Sequence, residues 1–158
     1  MTKTLACGGR TLADTMVVGR ILALDVGERW IGVALSDPCG ILASPLTRID
    51  RMGAEVPVEA IRHLVIQHEV QRIVAGMPYS MNGTLGQQAE RVRDFLQELS
   101  QSLEIPIETW DERLSTVAAG RRMAEAKSAK GSRKARIDAA AAAYILQGYL
   151  DAVRAKQE

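Results

Sequence analysis

Hydrophobic residues change their spacing along the chain, and the changes mark the predicted elements. Two short apolar runs within residues 21–35 flank Gly27, Glu28 and Arg29, which predicts two strands joined by a tight turn. Later apolar runs predict further strands, and segments with one apolar face at helical spacing predict helices. The further strands are predicted at 41–46, 72–77 and 105–110, and the helices at about 55–69, 84–103, 115–123 and 136–154.

The order of these elements, β-β-β-α-β-α-β-α-α, predicts an α/β fold. The first three strands are joined by short turns and should form an antiparallel meander, in which Pro45 places the third strand at an edge. Strands one, four and five alternate with helices, so they should be parallel and joined by right-handed crossovers. We therefore predict a five-stranded mixed sheet with helices on both faces.

Local signals and composition set the expected boundaries. Residues 47–53 are mostly polar and are interpreted as a connection, and Thr84 with Gln87 has capping-box spacing, so the second helix should begin there. The 158 residues, 47% hydrophobic and 25% charged, suit one globular domain. We expect a flexible arm at 1–17, the domain at 18–152 and a tail at 153–158.

Several classes of protein are disfavoured by the composition. No apolar run approaches the ~18 residues of a membrane span, and the first residues lack the apolar core of a secretory signal. Cys7 and Cys39 have no metal-binding or redox spacing, which favours a reducing, cytoplasmic setting. A membrane partner is therefore not expected.

Positive charge is concentrated in one segment. Between Arg121 and Arg136 there are seven basic residues and one acid, a net +6, so the rest of a chain with a total charge of +1 carries −5. Such a segment is either a solvated loop or a surface for nucleic-acid phosphates. The candidate nucleic-acid contacts are Arg113, Arg121, Arg122, Lys127, Lys130, Arg133, Lys134 and Arg136.

Acidic residues from three elements are candidates for chemistry. Asp25 lies inside the first strand, where an unpaired charge is costly. Asp111 and Glu112 end the fifth strand, and Asp138 lies near the start of the last helix. Ligand sites open at the carboxyl ends of parallel strands, and clustered carboxylates favour Mg²⁺ or Mn²⁺. Alternatively, Asp138 is a helix N-cap and Asp111 with Glu112 forms a solvated turn.

Glycines and turn formers add a possible phosphate site. The loop between the fourth strand and second helix contains Asn82, Gly83 and Thr84, whose backbone N–H groups could cradle phosphate, or which form a plain connector. Gly27 permits the tight turn, and Gly32 is interpreted as leaving room for the backbone of a substrate.

Four blocks of sequence resemble the YqgF family, also called RuvX. They are Leu24-Asp25-Val26-Gly27 with Trp30-Ile31-Gly32-Val33-Ala34; Gly76-Met77-Pro78 with Met81-Asn82-Gly83-Thr84; Trp110-Asp111-Glu112-Arg113-Leu114-Ser115-Thr116; and Ile137-Asp138-Ala139-Ala140-Ala141. The resemblance covers residues 18–152 and implies an RNase H-like fold. It also implies a metal-dependent nuclease that matures the precursor of 16S ribosomal RNA in the bacterial cytoplasm, in a family first described as Holliday junction resolvases through its relation to RuvC.

The resemblance also implies a catalytic and metal-binding set. Asp25, Glu112 and Asp138 would hold Mg²⁺ or Mn²⁺, with Asp111 as a further candidate. RuvC has an acid at the end of strand four, where this chain has Gly76-Met77-Pro78, and Ala139 replaces the usual serine after the aspartate.

Three functions remain open from the sequence. The first is hydrolysis of phosphodiester bonds in structured RNA such as pre-rRNA, on its own or in ribosomal particles, by a monomer or homodimer. The second is resolution of branched DNA, which needs a dimer. The third is RNA binding without turnover, as in a ribosome-assembly or transcription factor, for which the basic segment alone would suffice.

Overall fold

The computed structural model describes residues 19–79, 86–112 and 132–157, with side chains from 135 to 156 in the last helix. Its strands are β1 (Arg20–Val26), β2 (Trp30–Ser36), β3 (Ala43–Asp50), β4 (Val70–Met77) and β5 (Ile107–Asp111). Its helices are α1 (Pro57–Gln67), α2 (Gln87–Ser102) and α3 (Ser132–Gln157). The helix predicted over 115–123 lies outside the described residues.

One five-stranded sheet has the order β3-β2-β1-β4-β5. The pairs β1–β2 and β2–β3 are antiparallel, whereas β4 lies parallel to both β1 and β5. The predicted meander, the parallel central strands and the edge position of the third strand are therefore confirmed. At Pro45 the β2–β3 register shifts, as expected where proline cannot donate to the ladder.

Helices cover both faces of the sheet, as predicted. One core cluster joins alternate residues of β1, such as Leu22 and Leu24, to α1 and α2. The other joins Ile21 and Ala23 to α3. Because side chains alternate between the faces of a strand, Asp25 continues the second row and faces α3.

Small side chains and polar bonds fix α3 on the sheet. Ala23, Ala34 and Ala142 are fully buried in this layer, so helix and sheet approach closely. Tyr149 donates to Glu108 Oε2 at 2.6 Å and accepts from Arg72 Nη1 at 2.9 Å, which ties α3 to β4 and β5. The position of Asp138 is therefore set by a helix anchored at several points.

Three predicted boundaries are wrong. β3 continues through Asp50, so most of the polar connection expected at 47–53 is edge strand. α2 begins after Gly86, which makes no side-chain cap, so the capping box at Thr84 is not used. α3 begins at Ser132, four residues before the expected start.

The described helices can be compared with the length and hydrophobicity that a membrane span requires. No helix in the described part of the chain is both long enough and apolar enough to cross a bilayer.

Candidate active site

Asp25 occupies the centre of a row with glycine on both sides. It pairs with Gly32 across the β1–β2 ladder. On the other side Leu24 pairs with Ala75, so Gly76 is the next β4 residue alongside Asp25. Side chains in register on neighbouring strands share a face, so neither neighbour of Asp25 in the sheet places a side chain of its own beside it.

The space above Gly32 is filled by the backbone of α3. A Cβ built on Gly32 would collide with the carbonyl oxygen of Asp138 and lie 2.7 Å from its carbonyl carbon. The interpretation that Gly32 makes room for a substrate backbone is therefore wrong, because the chain itself takes that room. Asp138 lies in the second turn of α3, so its alternative role as an N-cap is also wrong.

The space beside Gly76 is filled by Glu112. A Cβ on Gly76 would lie 2.5 Å from Glu112 Oε1 and 2.6 Å from Ile145 Cδ1. Glu112 follows the last residue of β5, Asp111, which pairs with Met77 of β4. Glycine at this position of β4 therefore leaves room for the carboxylate of the residue that follows β5.

The carboxylates act on one another electrostatically. Burial, and then the charge of Asp138, raises the pKa of Asp25 from 3.8 to about 6. Burial, followed by the charges of Asp25 and Asp111, raises the pKa of Glu112 from 4.5 to about 7. Asp25 therefore interacts electrostatically with Asp138 and with Glu112.

Arg48 is a neighbour of the site that the sequence did not single out. Its Nη1 lies 3.2 Å from Asp138 Oδ2, and its guanidinium carbon lies 3.5 Å from the centroid of the Trp30 ring. A signal was available, because Arg48 precedes the buried Ile49 in a segment that could have continued the third strand. Because residues 47–53 were interpreted as a polar connection, Arg48 was not considered as a strand residue.

Comparison with known proteins agrees with this architecture. Residues 19–152 match the family model described as "RuvX: Holliday junction resolvase". The chain belongs to the RuvX family.

Relatives of this RuvX chain are similar over nearly their full length. A protein of Clostridium novyi named "Putative pre-16S rRNA nuclease" is 46% identical over 134 residues, which cover 85% of this chain and 99% of that protein. A protein of the same name from Clostridium kluyveri is 48% identical, with 85% and 98% covered. The family that the sequence blocks resemble is therefore confirmed.

A solved structure supports the fold. RuvC of Thermus thermophilus, in complex with a Holliday junction substrate, superposes with a TM-score of 0.53 at 10% identity, covering 86% of this chain and 96% of that one. A second structure of Thermus thermophilus RuvC superposes with a TM-score of 0.50. The RNase H-like prediction is confirmed by this likeness.

The donor chemistry of the RuvX chain fits a hard divalent cation. Three carboxylates, from β1, from the residue after β5 and from α3, are close enough to interact, and oxygen donors are those that Mg²⁺ and Mn²⁺ prefer. As the side chains stand, no three Asp, Glu, His or Cys groups within 19–79, 86–112 and 132–157 are gathered closely enough to hold an ion. Asp138 instead pairs with Arg48.

Most of the predicted nucleic-acid contacts lie outside the described side chains. The exposed Arg136 is the described member of that set. The others are Arg113, Arg121, Arg122, Lys127, Lys130, Arg133 and Lys134, and the phosphate-loop residues Asn82, Gly83 and Thr84 are likewise not described.

Gly76→Ala is expected to move Glu112 and to leave most of the fold intact. The added methyl group would need the space of the Glu112 carboxylate and of Ile145 Cδ1, both ends of side chains that can rotate. We expect a loss of about 1–3 kcal/mol of stability, measured by urea denaturation, together with at least a tenfold loss of any metal-dependent activity. Unchanged activity would show that this position of Glu112 is not needed.

Proposed function

We propose that this chain is a divalent-metal-dependent nuclease that hydrolyses phosphodiester bonds in the precursor of 16S ribosomal RNA. The observation that carries the proposal is Asp25, a carboxylate in a central strand that interacts with Asp138 on one side and Glu112 on the other. The names of the Clostridium relatives support the choice of substrate. The description of the family model favours branched DNA as the second candidate.

Each acidic residue has a distinct part in this proposal. Asp25, Glu112 and Asp138 would hold Mg²⁺ or Mn²⁺, which when bound stabilises charge on the phosphate and lowers the pKa of a water molecule. Burial of Asp25 removes it from bulk water, so its interaction with a cation is strengthened. Asp111 contributes negative charge next to Glu112.

Cationic groups that a nucleic-acid backbone could contact lie at the same end of β1, on the α2 side of the sheet. A cleft of about 400 Å³ lies beside the β1–β2 turn and the start of α2, and its lining includes Arg51, Arg91 and Gln87. Arg51 donates to the Gly27 carbonyl at 2.8 Å, so its charge is held at the end of β1. We propose that these groups, the basic segment 121–136 and the loop at 82–84 contact phosphates.

The setting follows from the substrate. Pre-rRNA, free or in ribosomal particles, places the enzyme in the cytoplasm. RNA cleavage is compatible with a monomer or a homodimer, whereas resolving a junction needs two active sites facing its arms. The oligomeric state during cleavage therefore separates the two candidates.

The test is a cleavage assay with two substrates and two matched variants. Wild-type chain, Glu112→Gln and Glu108→Gln are incubated with a pre-16S rRNA fragment or a four-way DNA junction, with Mn²⁺ or EDTA. We expect Mn²⁺-dependent cleavage of the RNA, at least a tenfold loss in Glu112→Gln, and retained activity per folded molecule in Glu108→Gln. Glu108 lies on β5 and pairs with Arg72 and Tyr149, and the carbonyl oxygen of a glutamine there can still accept from Tyr149, so α3 stays anchored.

Each other outcome has a definite meaning. Cleavage in EDTA, or undiminished cleavage by Glu112→Gln, would contradict the proposed centre. Cleavage of the junction alone would replace RNA by branched DNA as the substrate. Salt-sensitive RNA binding without cleavage would indicate a non-catalytic factor.

A further inference from the structure

Arg48 crosses from the edge of the sheet to the acidic site. It lies on β3, paired in register with Gly32 of β2. Because Asp138 of α3 lies directly over Gly32, the side chain of Arg48 on the neighbouring strand is within reach of its carboxylate. The two side chains are 18% and 19% exposed, so the 3.2 Å contact is largely withdrawn from water.

Trp30 fixes the guanidinium group from another direction. It lies two residues before Gly32 on β2 and therefore on the same face of the sheet. The guanidinium carbon of Arg48 sits 3.5 Å from the ring centroid, within the range of a cation–π contact. Arg48 is thus held between an aromatic ring and a carboxylate.

Among the described side chains, the three candidate carboxylates differ in their partners. Asp138 forms an ion pair with Arg48. Asp25 and Glu112 form no ion pair with a described side chain, and each interacts unfavourably with another acid. One carboxylate of the three is therefore neutralised by the protein itself.

We propose that Arg48 is the internal counter-ion of Asp138, and that a divalent cation entering the site competes with this guanidinium for the carboxylate. Arg48 thereby weakens metal binding and stabilises the metal-free chain. This inference rests on the metal centre of the proposed function. It assigns Arg48 a role toward the metal rather than a place among its ligands.

The physical reason is a balance of charges. Removing Arg48 takes a positive charge from within a few ångströms of the cation and frees Oδ2 of Asp138, and both changes strengthen attraction in a partly buried site. The same removal leaves the carboxylate without a counter-charge when no metal is bound. A residue that only joined β3 to α3 would change stability and leave metal affinity unaltered.

Isothermal titration with Mn²⁺ on the full chain tests the inference. Arg48→Met is expected to bind Mn²⁺ at least tenfold more tightly than wild type, and to melt several degrees lower without metal. Arg29→Met is the matched control, because Arg29 also lies near the Trp30 ring, at 5.0 Å, but pairs with Asp50. Its Mn²⁺ affinity should stay within twofold of wild type.

Two further variants keep the test informative if Arg48→Met folds poorly. Arg48→Lys retains the charge but fits the ring and the carboxylate less well, so a gain of two- to fivefold is expected. Adding Asp138→Asn to Arg48→Met should recover part of the lost melting temperature, because the unpaired charge is removed. Failure to recover any of it would overturn the counter-ion role.

The outcomes separate this inference from the proposed function. Equal or weaker Mn²⁺ binding by Arg48→Met, in a wild-type background that binds Mn²⁺ and cleaves RNA, overturns the role of Arg48 alone. Absence of Mn²⁺ binding by wild type overturns both proposals.

Discussion

Asp25→Asn is expected to abolish cleavage and, at the same time, to raise the melting temperature of the metal-free protein. Activity should fall by at least a thousandfold, because the central carboxylate of the proposed centre is lost. Stability should rise because the ionised carboxylate opposes folding: burial and Asp138 raise its pKa from 3.8 to about 6. A shift of about two units corresponds to about 3 kcal/mol at most.

Part of that gain will be offset, because the asparagine amide is itself costly to bury. We expect a rise of about 3–6 °C by scanning calorimetry at pH 8, since about 1 kcal/mol moves the melting temperature of a domain of this size by 2–4 °C. Mn²⁺ should stabilise wild type and have little effect on the variant. A lower melting temperature, or undiminished cleavage, would contradict the assignment of Asp25.

The pH dependence of metal-free wild type should agree. The folded chain binds protons at Asp25 and Glu112 more tightly than the unfolded chain does, because both pKa values are raised on folding. Stability should therefore fall as the pH rises from about 4 to 7. Asp50→Asn is the control. The Met52 N–H holds the pKa of the Asp50 carboxyl below its usual range, so the contribution of this group to stability is lost as the pH falls rather than as it rises.

Gly32→Ala is expected to be the most destabilising single methyl group that can be added near the site. The new Cβ would collide with backbone atoms of Asp138, which cannot rotate away as a side chain could. The second turn of α3 must then move off the sheet, at a cost of about 3 kcal/mol or more. Activity should fall sharply in the molecules that still fold, because Asp138 moves away from Asp25.

Gly86→Ala provides the control for this substitution. No atom lies within 4 Å of a Cβ built there. Its melting temperature should fall by at most a few degrees, since only the cap of α2 is affected. If Gly32→Ala melted like Gly86→Ala, the close approach of α3 to β2 would be disproved.

The topology was predictable because its signals are local and strong. The hairpin around Gly27 and the apolar run before Gly76 gave the strands, and the alternation with helices gave their order. The end of β3 was not predictable in the same way. An edge strand with one solvated face carries polar residues such as Thr47 and Arg48, and polarity alone does not distinguish such a strand from a loop.

The acids of the site were predicted, but not their surroundings. Asp25 stood out because a charge inside a strand needs a partner, whereas Glu112 and Asp138 were chosen for their places at a strand end and near a helix start and for the family resemblance. The role of Gly32 could not be predicted from the sequence. A glycine in a strand indicates close approach of other atoms, but it does not show whether they belong to a substrate or to another element of the chain. Arg48 could not be found without the β2–β3 register, which places it beside Gly32 and so next to the turn of α3 that carries Asp138.

The order of these parts along the chain has a consequence for synthesis. Arg48 and Asp138 are 90 positions apart, and Asp138 belongs to the last described helix. The sheet strands leave the ribosome before α3 does, so a nascent chain carries Asp25 without either Asp138 or the backbone that covers Gly32. A centre that needs Asp138, as proposed, can therefore form only after α3 has docked on the sheet, so docking of this helix must precede any cleavage.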